Sequence, residues 1–216
     1  MKKLLICCFI INSMLLLAQQ DSIQPQSKKQ GVFLGVDIFN PVLSVFTEKK
    51  GGEVSISVPF KQKWTIAGEI GYESNTFENA IWNVDASGLY ARAGANWFVS
   101  QDINNPNMGY YFGGRIGFSP FNQTVNLFTI QGVDMPNVNG NLEKHAAYAL
   151  WLEPLMGARV PLWKTNFYVD ASARLRILLW NNNEYGMSPL IIPGFGINNN
   201  GLNFGLNWSI GYVFTF

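Results

Sequence analysis

The sequence joins 216 residues at a formal net charge of +1, with 13% charged side chains, 14% aromatic ones and 21 glycines. Few charges and many rings exclude a disordered chain, whose composition runs the other way. A near-zero net charge without a basic patch offers no electrostatic handle to nucleic acid.

The first segment sets the compartment. Met1, Lys2 and Lys3 form a basic start, residues 4–17 an almost unbroken apolar run, and Ala18 a small residue before the polar stretch 19–30. That order predicts a signal peptide over residues 1–18 and a polar periplasmic tail over 19–30. The apolar run is too short to span a bilayer comfortably. Cys7 and Cys8 both lie in the leader, and Ala18 stands where a lipoprotein needs a cysteine. The mature chain therefore carries no thiol and no disulfide. Beyond it, no stretch is long and apolar enough for a membrane helix, which leaves a soluble protein or a membrane barrel over residues 31–216.

From residue 31 onward the apolar period is two, the mark of half-buried strands. In chain order the pattern predicts strands at 32–39, 53–60, 64–73, 89–97, 110–118, 148–162, 167–179 and 206–216. The sixth contains Pro154, which lacks an amide donor and suggests a bulge or a weak point. Eight is the even count that an antiparallel transmembrane barrel requires, and the expected fold is all-β, an eight-stranded barrel of the outer-membrane type. Connections at 61–63, 100–107 and 163–165 are short or moderate, and those at 40–51, 75–84, 124–147 and 181–201 are mostly longer. That alternation is the rim asymmetry of outer-membrane barrels.

Charge placement chooses between a membrane barrel and a soluble one. All five arginines, Arg92, Arg115, Arg159, Arg174 and Arg176, fall on polar strand faces, and the ten lysines fall in the leader, tail, loops or turns. A confined interior favours arginine, whose planar fork pairs with several carboxylates. The same faces supply Asp37, Glu53, Glu69, Glu73, Glu153 and Asp170. Near balance is what a packed interior needs, because an unpaired buried charge is costly. The apolar faces end in Phe60, Trp64, Trp97, Tyr110, Phe167, Phe214 and Phe216, an interfacial girdle at the short-turn rim.

The end of the chain, residues 209–216, resembles the assembly signal of outer-membrane proteins. Ser209, Gly211, Phe214 and Phe216 occupy its places, which implies handling by the barrel-assembly machinery. Three further stretches, AGEIGYE at 67–73, GFSPFNQTVNLFTI at 117–130 and LIIPGFG at 190–196, with the barrel start at 31–40, resemble a family of small outer-membrane barrels from Bacteroidota of unknown function. The resemblance spans residues 31–216 and implies fold and outer-membrane location, with no catalytic residue to carry over.

Chemistry is sparse. His145, the one histidine, lies in or beside the loop before the sixth strand, with Glu143 and Glu153 near in sequence and Ser119 or Ser188 as more distant candidates. A lipid-modifying enzyme would use it as a base, but no triad pattern surrounds it, so no catalytic residue is assigned. No His/Cys spacing suits a metal, and no cofactor is expected. Interior charges could line a narrow pore, although eight strands leave a lumen that side chains roughly fill. The connection 187–197, MSPLIIPGFGI, is strongly apolar for a loop. Either it presents Leu190, Ile191, Ile192 and Phe195 as a contact surface, or it folds over its own barrel mouth or rests on lipid headgroups. The resulting expectation is a structural or accessory barrel in contact with outer-membrane lipids, docking to a larger envelope protein complex.

Overall fold

The computed structural model describes residues 30–44, 49–130, 138–182 and 188–215. The expected leader, Phe216 and all of the tail but Gln30 lie outside them. Strand β1 (Val32–Asp37) is followed by a one-turn helix α1 (Phe39–Ser44). Then come β2 (Lys50–Lys61), β3 (Trp64–Glu78), β4 (Trp82–Gln101), β5 (Gly109–Ile130), β6 (Val138–Pro161) and β7 (Phe167–Asn181). A two-residue pair, β8 (Ile191–Ile192) and β9 (Gly196–Ile197), precedes β10 (Leu202–Phe214). Strands β1–β7 and β10 close an eight-stranded antiparallel barrel in the order β1-β10-β7-β6-β5-β4-β3-β2. The fold is the outer-membrane barrel expected from the alternation.

Several boundaries differ from expectation. The stretches 75–84 and 124–147, read as long loops, are mainly strand, because β3, β4, β5 and β6 run on into tall hairpins. Their Phe77, Trp82, Val84, Val125, Phe128 and Leu142 pack on a common cluster, and that packing holds the extended backbone. Strand β1 stops early, where Asp37 Oδ2 accepts from the Asn40 amide at 3.1 Å and the chain turns into α1. Pro154 causes no bulge. Its pairing with Gly114 continues the register on both sides, and the nearest β6–β7 shift lies at Leu150/Trp151.

The outer wall is apolar. Leu34, Val54, Ile56, Ile66, Ile70, Ile116, Met156 and Leu206 all face outward and exposed. Near the short turns stand Phe60, Trp64, Trp97, Tyr110, Phe167 and Phe214, with Trp64 stacked on Trp97 at 6.3 Å and Phe167 edge-on to Tyr212 at 5.2 Å. A second belt holds Tyr72, Leu89, Phe118, Tyr148 and Phe204, with Phe118 stacked on Tyr148 at 6.4 Å. Trp64 to Tyr72, Trp97 to Leu89 and Tyr110 to Phe118 each span eight residue steps. That is about 26 Å of strand, or roughly 20 Å along the axis of a tilted barrel before ring thickness is added, close to an outer-membrane apolar band.

Above the second belt the two faces exchange character, with register shifts at Asn83/Val84 on β4 and between Gln123 and Phe128 on β5. Outward positions become polar: Asp85 and Ser87 on β4, Asn122, Thr124 and Asn126 on β5, and Lys144 on β6. Thr76 and Asn126 hydrogen-bond Asp85 at 2.6 Å each. Inward positions become apolar: Val84, Ala86, Phe121, Val125, Ala147 and Ala149 are all buried. A wall that leaves hydrocarbon and enters water should show this change.

Candidate functional site

Inside the barrel the residue types invert again, and the lumen is filled by paired charges. Arg92 on β4 forms the hub. Its guanidinium contacts Glu53 through Nη2, Glu69 through Nε at 3.0 Å and Glu153 through Nη1 at 3.0 Å. Arg174 bridges Glu69 at 2.6 Å and Glu153 at 3.2 Å. Arg115 reaches Glu69 at 3.3 Å, and Arg176 lies 3.6 Å from Glu153. These four arginines and three glutamates descend from β2, β3, β4, β5, β6 and β7, so one cluster ties six of the eight barrel strands together. The period of two alone puts each of them inside.

Neutral donors complete the acceptors. Tyr90 Oη donates to Glu53 at 2.7 Å, Trp151 Nε1 to Glu153 at 3.0 Å, and Asn207 Nδ2 to Glu53 at 3.3 Å and Asp37 at 3.5 Å. Glu153 is wholly buried, which only this density of donors makes tolerable. Arg159 and Asp170 form a second station nearer the short turns. Arg159 Nε donates to Asp170 at 2.8 Å, Tyr111 Oη donates to the other carboxylate oxygen at 2.5 Å, and the guanidinium lies 4.0 Å from the Phe33 ring centroid. Glu73 stands at the opposite end, paired with Lys49 at 2.9 Å. Lys49 stands just before β2 and carries no face in the sequence alternation; with it, the six inward acids face six cations.

The apolar connection closes the mouth instead of presenting a docking surface. Ile191, Ile192 and Phe195 are buried, and Leu190 packs against the same cluster, which includes Tyr90, Phe121 and Trp151. The β8–β9 turn inserts into the barrel. Gly194 takes φ +78 with the Tyr90 ring beneath it, a place where a Cβ would come within 2.5 Å of Tyr90 Cγ. Its amide donates to Glu73 Oε2 at 2.9 Å, and Arg176 Nη1 donates to the Phe195 carbonyl at 2.9 Å. Of the readings open for this loop, the exposed contact surface is therefore corrected, and the cap over its own barrel mouth is the one found. Its apolar groups find partners on the inward-facing walls of β4, β5 and β6, in stretches expected to be loops. Met187 lies outside the described residues.

At the short-turn end Tyr168 Oη donates to Asn105 Oδ1 at 2.9 Å, and Asn107 Oδ1 accepts from the Gly31 amide at 2.8 Å. Phe33, Tyr168 and Val213 form a small core there, with Met108 against it. Between the two closures a polar cavity of about 20 Å³ remains.

The terminal motif residues lie on the closing seam. Ser209, Gly211 and Phe214 pair with Asp37, Gly35 and Val32 of β1. Gly211 lies under the Phe33 ring, where a Cβ would meet ring carbons at 2.5 Å. Phe216 lies outside the described residues.

His145 sits on β6, opposite Gln123, and not in a loop. Its Nδ1 lies 3.1 Å from the Glu143 carbonyl. Ser119 pairs with Ala149, four residues along β6 and so about 13 Å away. It donates to the Leu89 carbonyl at 2.9 Å, while Ser188 Oγ accepts from Asn198 at 3.3 Å. Among the described residues, no cluster of three or more His, Cys, Asp or Glu is arranged to hold a metal ion.

Strand number, closure, apolar outer wall and charged interior define a small transmembrane barrel of the outer-membrane class. The chain belongs to the family described as a domain of unknown function, DUF6048, whose model matches residues 1–216. No curated protein matches it. Among solved structures it is similar to Ail, the attachment invasion locus protein of Yersinia pestis, at 11% identity, a TM-score of 0.43 and coverage of 87% of this chain and 100% of that one. It is also similar to the β domain of the Bordetella autotransporter Brka, at 11% identity, a TM-score of 0.42 and coverage of 86% and 99%.

Proposed function

We propose that this chain is a structural or accessory barrel of the bacterial outer membrane, exported by its leader and closed to bulk flow in its resting form. The observation that carries the reading is the exchange of polarity on β4, β5 and β6 above the second aromatic belt. In a water-soluble barrel the outward face would stay polar throughout, as the inward face stayed apolar. The closed lumen supports a structural task over conduction: Glu153 and Trp151 are fully buried at mid-height, and the mouth is filled by the β8–β9 turn. The apolar wall suits contact with outer-membrane lipids, and the β10 motif suits recognition by the barrel-assembly machinery during insertion. Docking to a larger envelope complex is retained as a role for the assembled barrel, without the apolar loop as its surface.

Fractionation tests the location, and a mild-detergent pull-down tests the accessory role. The mature protein is expected with outer membranes, migrating differently on gels before and after heating. Recovery in the soluble periplasm would overturn the reading. A barrel isolated from native membranes with no companion protein would remove the docking role and leave the structural one.

A further inference from the structure

Above the second aromatic belt, a cleft of about 230 Å³ lies between the hairpin wall and the connection that leads into the β8–β9 turn. Trp82 of β4 and Gln123 and Val125 of β5 line it from the wall, and Ser188 and Leu190 line it from the connection. Val125 belongs to the buried cluster that receives the plug, and Trp82 and Leu190 pack against it. Gln123 is the odd residue in this row. It stands on the inward face of β5 with Phe121 and Val125, opposite Ala86 of β4, and is more than nine-tenths buried. Its side-chain amide meets no hydrogen-bond partner among the described residues. A buried amide on an apolar wall keeps its desolvation cost unless something in the cleft pairs with it.

A carboxamide offers a donor and an acceptor side by side, whichever way the amide is turned. Its best-matched partner is another amide edge, which returns an acceptor and a donor at the same spacing. The rest of the lining asks for carbon, because Trp82, Val125 and Leu190 are apolar and only Ser188 adds a hydroxyl, whose oxygen already accepts from Asn198 at 3.3 Å. A sugar would strand most of its hydroxyls against Val125 and Leu190. A charged ligand would meet no countercharge on the lining among the described residues. At about 30 Å³ per water the space holds roughly eight waters, or a ligand of roughly ten non-hydrogen atoms. We propose that this cleft binds a small neutral molecule with an apolar ring and one amide edge, the edge paired with Gln123 and the ring against Trp82. Bound there, the ligand bridges β5 and the connection and holds the plug against the hairpins.

Benzamide, a ring with a single carboxamide, is the probe; benzoate and glucose are of similar size without the neutral amide. Each is titrated into the full mature barrel in detergent and followed by the magnetic resonance signal of the Gln123 side-chain amide, identified by its loss in Gln123→Leu. Benzamide should shift that signal saturably, and benzoate and glucose should bind at least about tenfold more weakly. In calorimetry, Gln123→Leu should weaken benzamide about tenfold without lowering the unfolding midpoint, since it removes an unpaired buried amide. Micelles absorb benzamide alike in both proteins, so the difference reads the cleft. Gln123→Glu keeps the shape but only accepts, and should exchange the preference for benzamide for one for benzamidine, which only donates. No saturable shift with benzamide, equal binding of benzoate or glucose, or the same benzamide affinity in Gln123→Leu would overturn the proposal and leave Gln123 to the water of the barrel mouth.

Discussion

Each interior charge has a different number of partners, and that ranks the substitutions. Arg92 contacts three glutamates, so Arg92→Met would leave Glu53 with only Tyr90 and Asn207. Breaking a buried pair by removing one partner costs about 3–5 kcal/mol in a dry site. The variant should therefore lose that much in denaturant unfolding, with an unchanged slope. Arg159→Met leaves Asp170 still holding the Tyr111 hydroxyl, and Met can occupy the space beside Phe33. It should cost clearly less. Equal losses would mean that the Arg92 cluster is solvated enough to share its charge with water. These residues were legible in the sequence because arginine and lysine separate by position, and because the alternation assigns a face to each without knowledge of partners. Partner identity was not legible. Arg174 and Glu69 are 105 residues apart and meet only because the barrel closes.

Elements carry the next predictions. The β8–β9 turn is a plug, held by Glu73 and Arg176 through its own backbone and by Tyr90 and Trp151 through ring contact. Ile191→Asp with Phe195→Asp should lower the unfolding temperature and leave insertion intact, because two carboxylates would be buried among apolar groups. An unchanged unfolding temperature would show that the turn leaves the mouth in solution. The sequence left this loop open for a physical reason. Composition tells that a segment is apolar, but not whether it covers a partner or its own barrel, and the wall that receives it had been read as loop. In 75–84 and 124–147 the inward face changes from polar to apolar, and register shifts at Asn83/Val84 and between Gln123 and Phe128 offset the spacing, so the pattern of the lower strands does not carry through by eye. The seam gives a sharper contrast. A Cβ at Gly211 would crowd the Phe33 ring, and one at Gly117 would crowd Trp151 at 2.2 Å. Only Gly211 lies in the terminal motif. Gly117→Ala should lower stability alone, while Gly211→Ala should also reduce insertion measured in outer membranes. Equal insertion of the two variants would reduce Gly211 to a packing position.

At the scale of the whole molecule, the outer surface records two solvents along single strands. Ala93 lies outward at mid-band on β4, between the Gly68 and Ile116 rows, and Ser87 lies outward six residues further up the same strand. Both side chains are small, so an added arginine meets no packing constraint of its own volume at either place. What differs is the medium. An arginine at the midplane of a transmembrane barrel costs about 2–4 kcal/mol, and one near the interface about 0–1. Ala93→Arg should therefore reduce folding into bilayers by the larger amount, whereas Ser87→Arg, beside Asp85 and Asn122, should change it little. The same pair in detergent micelles should show a smaller gap, because a thin and deformable shell lets the guanidinium reach water. A soluble barrel would tolerate both substitutions alike, since water would bathe both positions. The difference between the two variants, read from urea unfolding in lipid vesicles, thus measures the depth of the band between the aromatic belts independently of the interior and of the plug.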